Sequence, residues 1–154
     1  NNVWGGVFLG GGYSQPEDCL VENNIMVESN TYQFDAAVSA GAAGNRWRRN
    51  IVYYKSPTAA LLRARDTNGI AECDYNVYFP ASGQPLKLVG VPGESWQQWR
   101  EMGFDQHSVV ADPLFVDPAE GDYRLQAGSP ALQLGFEQLP FDRMGPRAPA
   151  GPRP

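Results

Sequence analysis

The chain has 154 residues, with 17 acidic and 12 basic side chains and a formal net charge of −5. At 42% hydrophobic and 19% charged it has the make-up of a folded domain, long enough for one real core. The acidic balance argues against a nucleic-acid backbone binder, one His and two Cys are too few for a Cys/His zinc cluster, and no apolar run reaches the length of a membrane helix.

Seventeen Gly and 13 Pro leave little room for long helices and favour short strands joined by turns. The chain opens on Asn1-Asn2-Val3 without an initiator Met, which reads as a processed protein or a piece of a longer one. Four strings then recur: Asn1-Asn2-Val3-Trp4, Asn23-Asn24-Ile25-Met26, Arg49-Asn50-Ile51-Val52 and Tyr75-Asn76-Val77-Tyr78. Their Asn residues at 2, 24, 50 and 76 are 22, 26 and 26 residues apart, a period shorter than helical repeats and suited to strand-rich solenoids. Asn accepts left-handed backbone and bonds to nearby main chain, so it suits a sharp corner, and stacked Asn can bond along a ladder. The β-formers after each corner read as one wall. Val7-Phe8-Leu9, Ala36-Ala37-Val38 and Ala60-Leu61-Leu62 read as a second. Cys19-Leu20-Val21, Arg46-Trp47-Arg48 and Ile70-Ala71-Glu72-Cys73 read as a third, just before each corner. Cys19 and Cys73 fall about two rungs apart, near 10 Å and beyond disulfide reach, so both are expected as free, mostly buried thiols.

The expected fold is all-β: a right-handed parallel β-helix of about four to five rungs over residues 1–90, with a C-terminal cap at 91–144 and a disordered tail at 145–154. Leu86-Lys87-Leu88-Val89 is the last expected strand. Ser95-Trp96-Gln97-Gln98 has a capping-box form, so 96–102 reads as a short helix stopped by Gly103 and covering the end of the stack. Two Trp so close also suit a sugar-stacking platform, a reading set below the cap. Asp112-Pro113 and Asp117-Pro118 read as turns around Leu114-Phe115-Val116, Tyr123-Arg124-Leu125 as a strand, and Ser129-Pro130 as a helix start. Eleven of the 13 Pro lie from Pro80 onward, dividing a repeating body from an irregular lid.

With these rungs, and with Gly103-Phe104-Asp105-Gln106-His107-Ser108 running into VVADPLFVDPAEGDYRLQAGSPALQLGF (109–136), the chain resembles the C-terminal part of bacterial right-handed β-helix proteins of the pectate-lyase-like superfamily. That resemblance implies a polysaccharide or oligosaccharide ligand and an extracellular or periplasmic place. The activity it implies is that of a lyase or a glycoside hydrolase. Lyases of this superfamily use Arg or Lys as base or charge neutraliser, often with acidic residues holding calcium; no other cofactor is expected.

A uronate lyase needs a cation for enolate-like charge and a base of tuned pKa, whereas a glycosidase needs two carboxylates about 5–5.5 or 6.5–9.5 Å apart. The candidate groove lies on the wall of Val7-Phe8-Leu9. Asp35, Arg63, Arg65 and Asp66 are its candidate catalytic groups, and Tyr13 and Lys87 candidate substrate contacts. The plainer reading of Arg63, Arg65 and Asp66 is a solvated ion-pair ladder. Arg46, Trp47 and Arg48 form, with Arg49, the densest basic cluster. It fits equally an anionic-sugar site with Trp47 stacking and a strand with Trp47 inward and the Arg outward. His107, with Asp105 and Ser108 beside it, invites a triad, but residues so close in sequence rarely converge, so His107 reads as an anchor of the cap. No metal-ligand set is visible. The alternative function is a non-catalytic C-terminal fragment, or a carbohydrate-binding or structural end of a longer β-helix protein. An open edge at the first rung would favour self-association.

Overall fold

The computed structural model describes residues 5–10, 15–36 and 42–144. The first Asn string, Tyr13, Ala37-Val38 of the second wall and the tail at 145–154 lie outside the described residues.

Among the described residues, ten strands alternate among three parallel sheets. β1 (Gly5–Phe8), β4 (Tyr32–Ala36), β7 (Ala60–Ala64) and β10 (Leu88–Val89) form one. β2 (Leu20–Glu22), β5 (Asn45–Arg48) and β8 (Ile70–Asp74) form the second. β3 (Ile25–Val27), β6 (Ile51–Tyr54) and β9 (Val77–Pro80) form the third, which β11 (Val109–Val110) extends past β9. Every third strand pairs with its predecessor, a connectivity compatible with a β-helix-like solenoid. The protein is mostly β, and its helices are short.

In the middle strand of the second wall the described residues are Tyr32–Ala36, of the expected run only Ala36 among them, and Val7, Phe34, Leu62 and Leu88 stand in one register row. The alternation Tyr32-Gln33-Phe34-Asp35 is the better strand signal, because Ala is a weak β-former.

The Asn corners stack as a ladder. The backbone N–H of Asn24 donates to Asn50 Oδ1 at 3.1 Å, and that of Asn50 to Asn76 Oδ1 at 2.9 Å. Each acceptor oxygen also takes the preceding Asn side-chain amide, at 3.1 and 3.3 Å. After Asn76 the ladder ends on Ser108 Oγ, which accepts from the Asn76 N–H at 2.8 Å. The left-handed residues at this corner are not the ladder Asn but those just before them: Asn23 (φ 58), Arg49 (φ 50) and Tyr75 (φ 59). The ladder side chains must point along the stack, and the preceding residue makes the bend.

Two cores result. The inner one lies among the three sheets, from Met26, Phe34, Trp47, Val52, Tyr54, Leu62, Cys73, Tyr78 and Leu88. α1 (Trp96–Glu101), capped by Ser95 Oγ accepting from the Gln98 N–H at 3.2 Å, adds Trp99 to its end. The second core lies on the opposite face of β3, β6, β9 and β11. There Ile51, Tyr53 and Val77 are covered by Phe115, Ala131 and Phe136. These come from the antiparallel pair β12 (Phe115–Asp117) and β13 (Asp122–Leu125), the turn α2 (Pro130–Gln133) and the strand-less run after it. Asp112 Oδ1 accepts from the Leu114 N–H (2.8 Å), Asp117 Oδ1 from the Glu120 N–H (3.3 Å) and Ser129 Oγ from the Ala131 N–H (3.2 Å), so the expected turn and cap residues act as turns and cap.

Candidate functional site

On the sheet of β1, β4, β7 and β10, parallel pairing places Phe8, Asp35, Arg63 and Val89 in one row. Adjacent strands thus bring Asp35 and Arg63 together. Arg63 Nε donates to Asp35 Oδ1 at 2.9 Å, its Nη2 donates to Oδ2, and the guanidinium lies 4.4 Å over the Tyr32 ring. Asp35 is 1% exposed beneath this fork. The hydrogen bonds to Asp35 raise the Arg63 pKa, fixing its charge. A carboxylate closed off in this way offers no acid or base to a ligand. Arg65 is exposed, and Asp66 closes a local turn by accepting from the Asn68 N–H at 2.9 Å. Among the described residues neither makes an ion pair, so the expected ladder of Arg63, Arg65 and Asp66 is not formed and Arg63 pairs with Asp35 instead. Lys87 is exposed just before β10. Calcium does not fit this wall: Asp35 is taken by Arg63, and among the described residues no three His, Cys, Asp or Glu side chains gather to hold a metal.

On the sheet of β2, β5 and β8, alternation turns Trp47 inward and Arg46 and Arg48 outward. Trp47 is 1% exposed and stacks on Phe34 with ring centres 3.7 Å apart. Trp47 is therefore a core residue and not a sugar platform, because the inner core offers its ring more apolar contact than solvent does. Arg46 is exposed.

Arg48 belongs to a chain of charges across the sheet. Its Nε meets Glu22 Oε1 at 2.9 Å and its Nη1 meets Glu72 Oε2 at 3.3 Å, while Arg49 Nη1 reaches the same Glu22 oxygen at 2.5 Å. Burial pushes the Glu22 carboxyl up, but the hydrogen bonds and charges of Arg48 and Arg49 outweigh this and leave it below its ordinary value. On β8, where it pairs in register with Arg48, Asp74 Oδ1 accepts from the backbone N–H of His107 and its Oδ2 meets His107 Nδ1, both at 2.7 Å, and the imidazole stacks on Tyr75 at 4.7 Å. Asp74 too is lowered: burial raises it, and the bonds from His107 and Tyr75 more than reverse that. His107 thus anchors the cap segment to β8. Its sequence neighbours Asp105 and Ser108 point the other way, into the core, where they bond each other.

Between this charged sheet and the C-terminal segment lies an open cleft of about 460 Å³. Glu22, Arg48 and Arg49 line one side, Gly135 and Glu137 the other. The Asn23 side chain joins the two: its Nδ2 donates to Glu137 O at 3.0 Å and its Oδ1 accepts from the Glu137 N–H at 2.6 Å. A side chain at Gly135 (φ 85) would bring its Cβ within 3.1 Å of Arg49 Nε, so glycine there leaves room for the guanidinium.

Sequence reasoning found Arg48 but missed Glu22, Asn23 and Glu137. The 26-residue period carried the signal for Glu22, which stands one repeat before Arg48. Nothing local signals Glu137, 114 residues from Asn23.

Comparison with known proteins gives no match: no protein-family model, no curated protein and no solved structure matches the chain. The arrangement itself offers two guanidiniums that share one carboxylate, beside backbone and amide groups in a cleft wide enough for a polar ligand.

Proposed function

We propose that the chain is a right-handed parallel β-helix of the pectate-lyase-like kind and that it binds polysaccharide without cleaving it. The cleft at Glu22, Arg48 and Arg49 is the observation that carries this reading. Its volume of about 460 Å³ falls in the range of small-molecule sites, and Arg49, over a third exposed, is the cation best placed to meet a sugar carboxylate. The stacked parallel sheets and the Asn ladder support the fold assignment, and β1, β2 and β3, terminal in their sheets among the described residues, support association with a second copy along their edges. A binding rather than processing role is favoured because Asp35, the acidic candidate on the other wall, is buried against Arg63. An extracellular or periplasmic place belongs to the same reading.

Calorimetric titration with an oligogalacturonate and with neutral oligosaccharides tests it, alongside a product screen for unsaturated uronate absorbance and new reducing ends. The expected result is binding of the acidic chain, weakened about tenfold by Arg49→Ala, with no product formed. Appearance of either product overturns the non-catalytic assignment, and equal affinity of Arg49→Ala overturns the cleft.

A further inference from the structure

The short helix α1 that closes the inner core carries a second open hollow on its outer side, separate from the charged cleft. Its register explains how. Trp99 points into the core, where it stacks on Phe104 at 4.3 Å and donates from Nε1 to Asp105 at 2.7 Å. Trp96 is only half-buried: it meets Tyr78 in a T-shaped contact at 5.6 Å, and its remaining surface lines an open hollow of about 380 Å³. At helical spacing, Trp96 neighbours Arg100 and Gln97 neighbours Glu101, so four side chains of one helix share the rim. Gln106 completes it from the loop beyond.

We propose that this hollow is a subsite for a neutral sugar ring, which would stack on Trp96 while its hydroxyls bond to the rim. Two observations support that chemistry. The rim side chains are already tied in place: Gln97 Nε2 donates to Glu101 Oε1 at 2.9 Å, Arg100 Nη2 to Gln106 O at 2.9 Å, and Gln106 Nε2 to Arg100 O at 2.6 Å and Phe104 O at 2.9 Å. A ligand therefore has few side chains to immobilise. The same bonds leave Gln97 Oε1, Gln106 Oε1 and Glu101 Oε2 as acceptors, and further Arg100 N–H groups as donors, without partners among the described residues. A hydroxyl both gives and accepts, so neighbouring hydroxyls on a ring can use this mixed set, and an aromatic face beside it suits the apolar C–H face of a pyranose. A ligand of one charge would be opposed by Arg100 or Glu101.

The test follows the Trp96 indole N–H by NMR while neutral tetrasaccharides of gluco, manno, xylo and galacto configuration are added to the whole chain, up to about 10 mM each, the range in which a lone shallow subsite binds. At least one should shift that signal saturably, with Gln97→Ala weakening binding about three- to tenfold; Trp96→Phe, which lacks the indole and is followed instead at the Gln106 side-chain amide, should retain part of the affinity. Gln97 is exposed and its replacement leaves the core contacts of Trp96 and Trp99 in place, so loss of binding there is not loss of fold. Arg49→Ala should leave this signal unchanged, which separates failure of the charged cleft from failure of the hollow. The proposal is overturned if no tetrasaccharide shifts Trp96, if Gln97→Ala binds as tightly as the parent, or if the signal moves with protein concentration alone, which would make the hollow a contact between copies.

Discussion

Two flanks of the stacked sheets present their outer rows to different surroundings. On β3, β6 and β9 the outer residues are Ile25, Val27, Ile51, Tyr53, Val77 and Phe79, and a C-terminal strap lies over them. On β2, β5 and β8 they include Glu22, Arg48 and Glu72, linked as ion pairs, Asp74 bonded to His107, and the exposed Arg46, beside an open cleft. The strands have the same pairing and the same repeat, so the difference lies in side chains alone. A flank buried on both faces gains from every apolar atom it removes from water, at about 25 cal/mol per Å², whereas exposed ion pairs contribute about 0–1 kcal/mol each. The covered flank therefore holds the lid to the body, and the bare flank is left with side chains that a ligand can reach.

The contrast is broken most severely at the lid. Phe115 sits at 5.8 Å from Tyr53 and 5.2 Å from Tyr123, both in T-shaped contacts. Phe115→Ala should cost about 3–5 kcal/mol in chemical denaturation and expose an apolar face that binds a hydrophobic dye. A loss below about 1 kcal/mol would mean that the strap is not held by this core.

The corner that joins the two flanks comes next. Asn50 accepts from the Asn24 N–H and donates to Val21 O and Arg48 O, all while buried. Asn50→Ala leaves these groups without partners and should lower stability by about 2–3 kcal/mol. Asn24→Ala, in a less buried position, should lower it by less, and equal losses would show that the ladder does not depend on burial.

Acid should act on the bare flank first. Glu22 and Asp74 are both held below their ordinary values, so the stability they contribute is present above the usual carboxylate range, near pH 4, and is lost as pH falls through their lowered native values. Asp105 has the opposite sign: burial raises its carboxyl, although Ser108, Trp99, Asn76 and Tyr78 all donate to it, so its share of stability shrinks as pH rises. Thermal melts between pH 7 and 3 should show a falling midpoint that Asp74→Asn flattens; an unchanged slope in that variant would remove Asp74 from the account.

The smallest effect is expected at Arg46, exposed on the charged flank. Arg46→Ala should change stability by less than about 0.5 kcal/mol, measured in the same denaturation series. A larger loss would mean that the bare flank also carries structural weight.

Much of the body was legible. The Asn period placed the ladder, the β-formers after it placed β3, β6 and β9, and Ser95 and Ser129 placed the two short helices. Val-Tyr-Tyr after Ile51 reads as an alternating strand, but a run apolar at every position is the mark of a strand covered on both faces, and Ile51–Tyr54 is buried throughout. The candidate site was less legible. Asp35 and Arg63 were rightly placed on one wall, but the sequence did not reveal that they neutralise each other beneath Tyr32. Cys19 and Cys73 are both free, yet only Cys73 is buried, since Cys19 precedes β2 at the edge of its sheet.

What the sequence by itself determined is the repeat: a local pattern of corner, strand and spacing, written several times, so each copy reinforces the reading of the others. Which surface faces water was decided by the tertiary structure alone. The strap that covers one flank and borders the cleft on the other occurs once, and Asn23 grips Glu137 across 114 residues with no period to announce it. Contacts of that kind arise from the docking of one apolar face on another, and only the folded chain brings the two together.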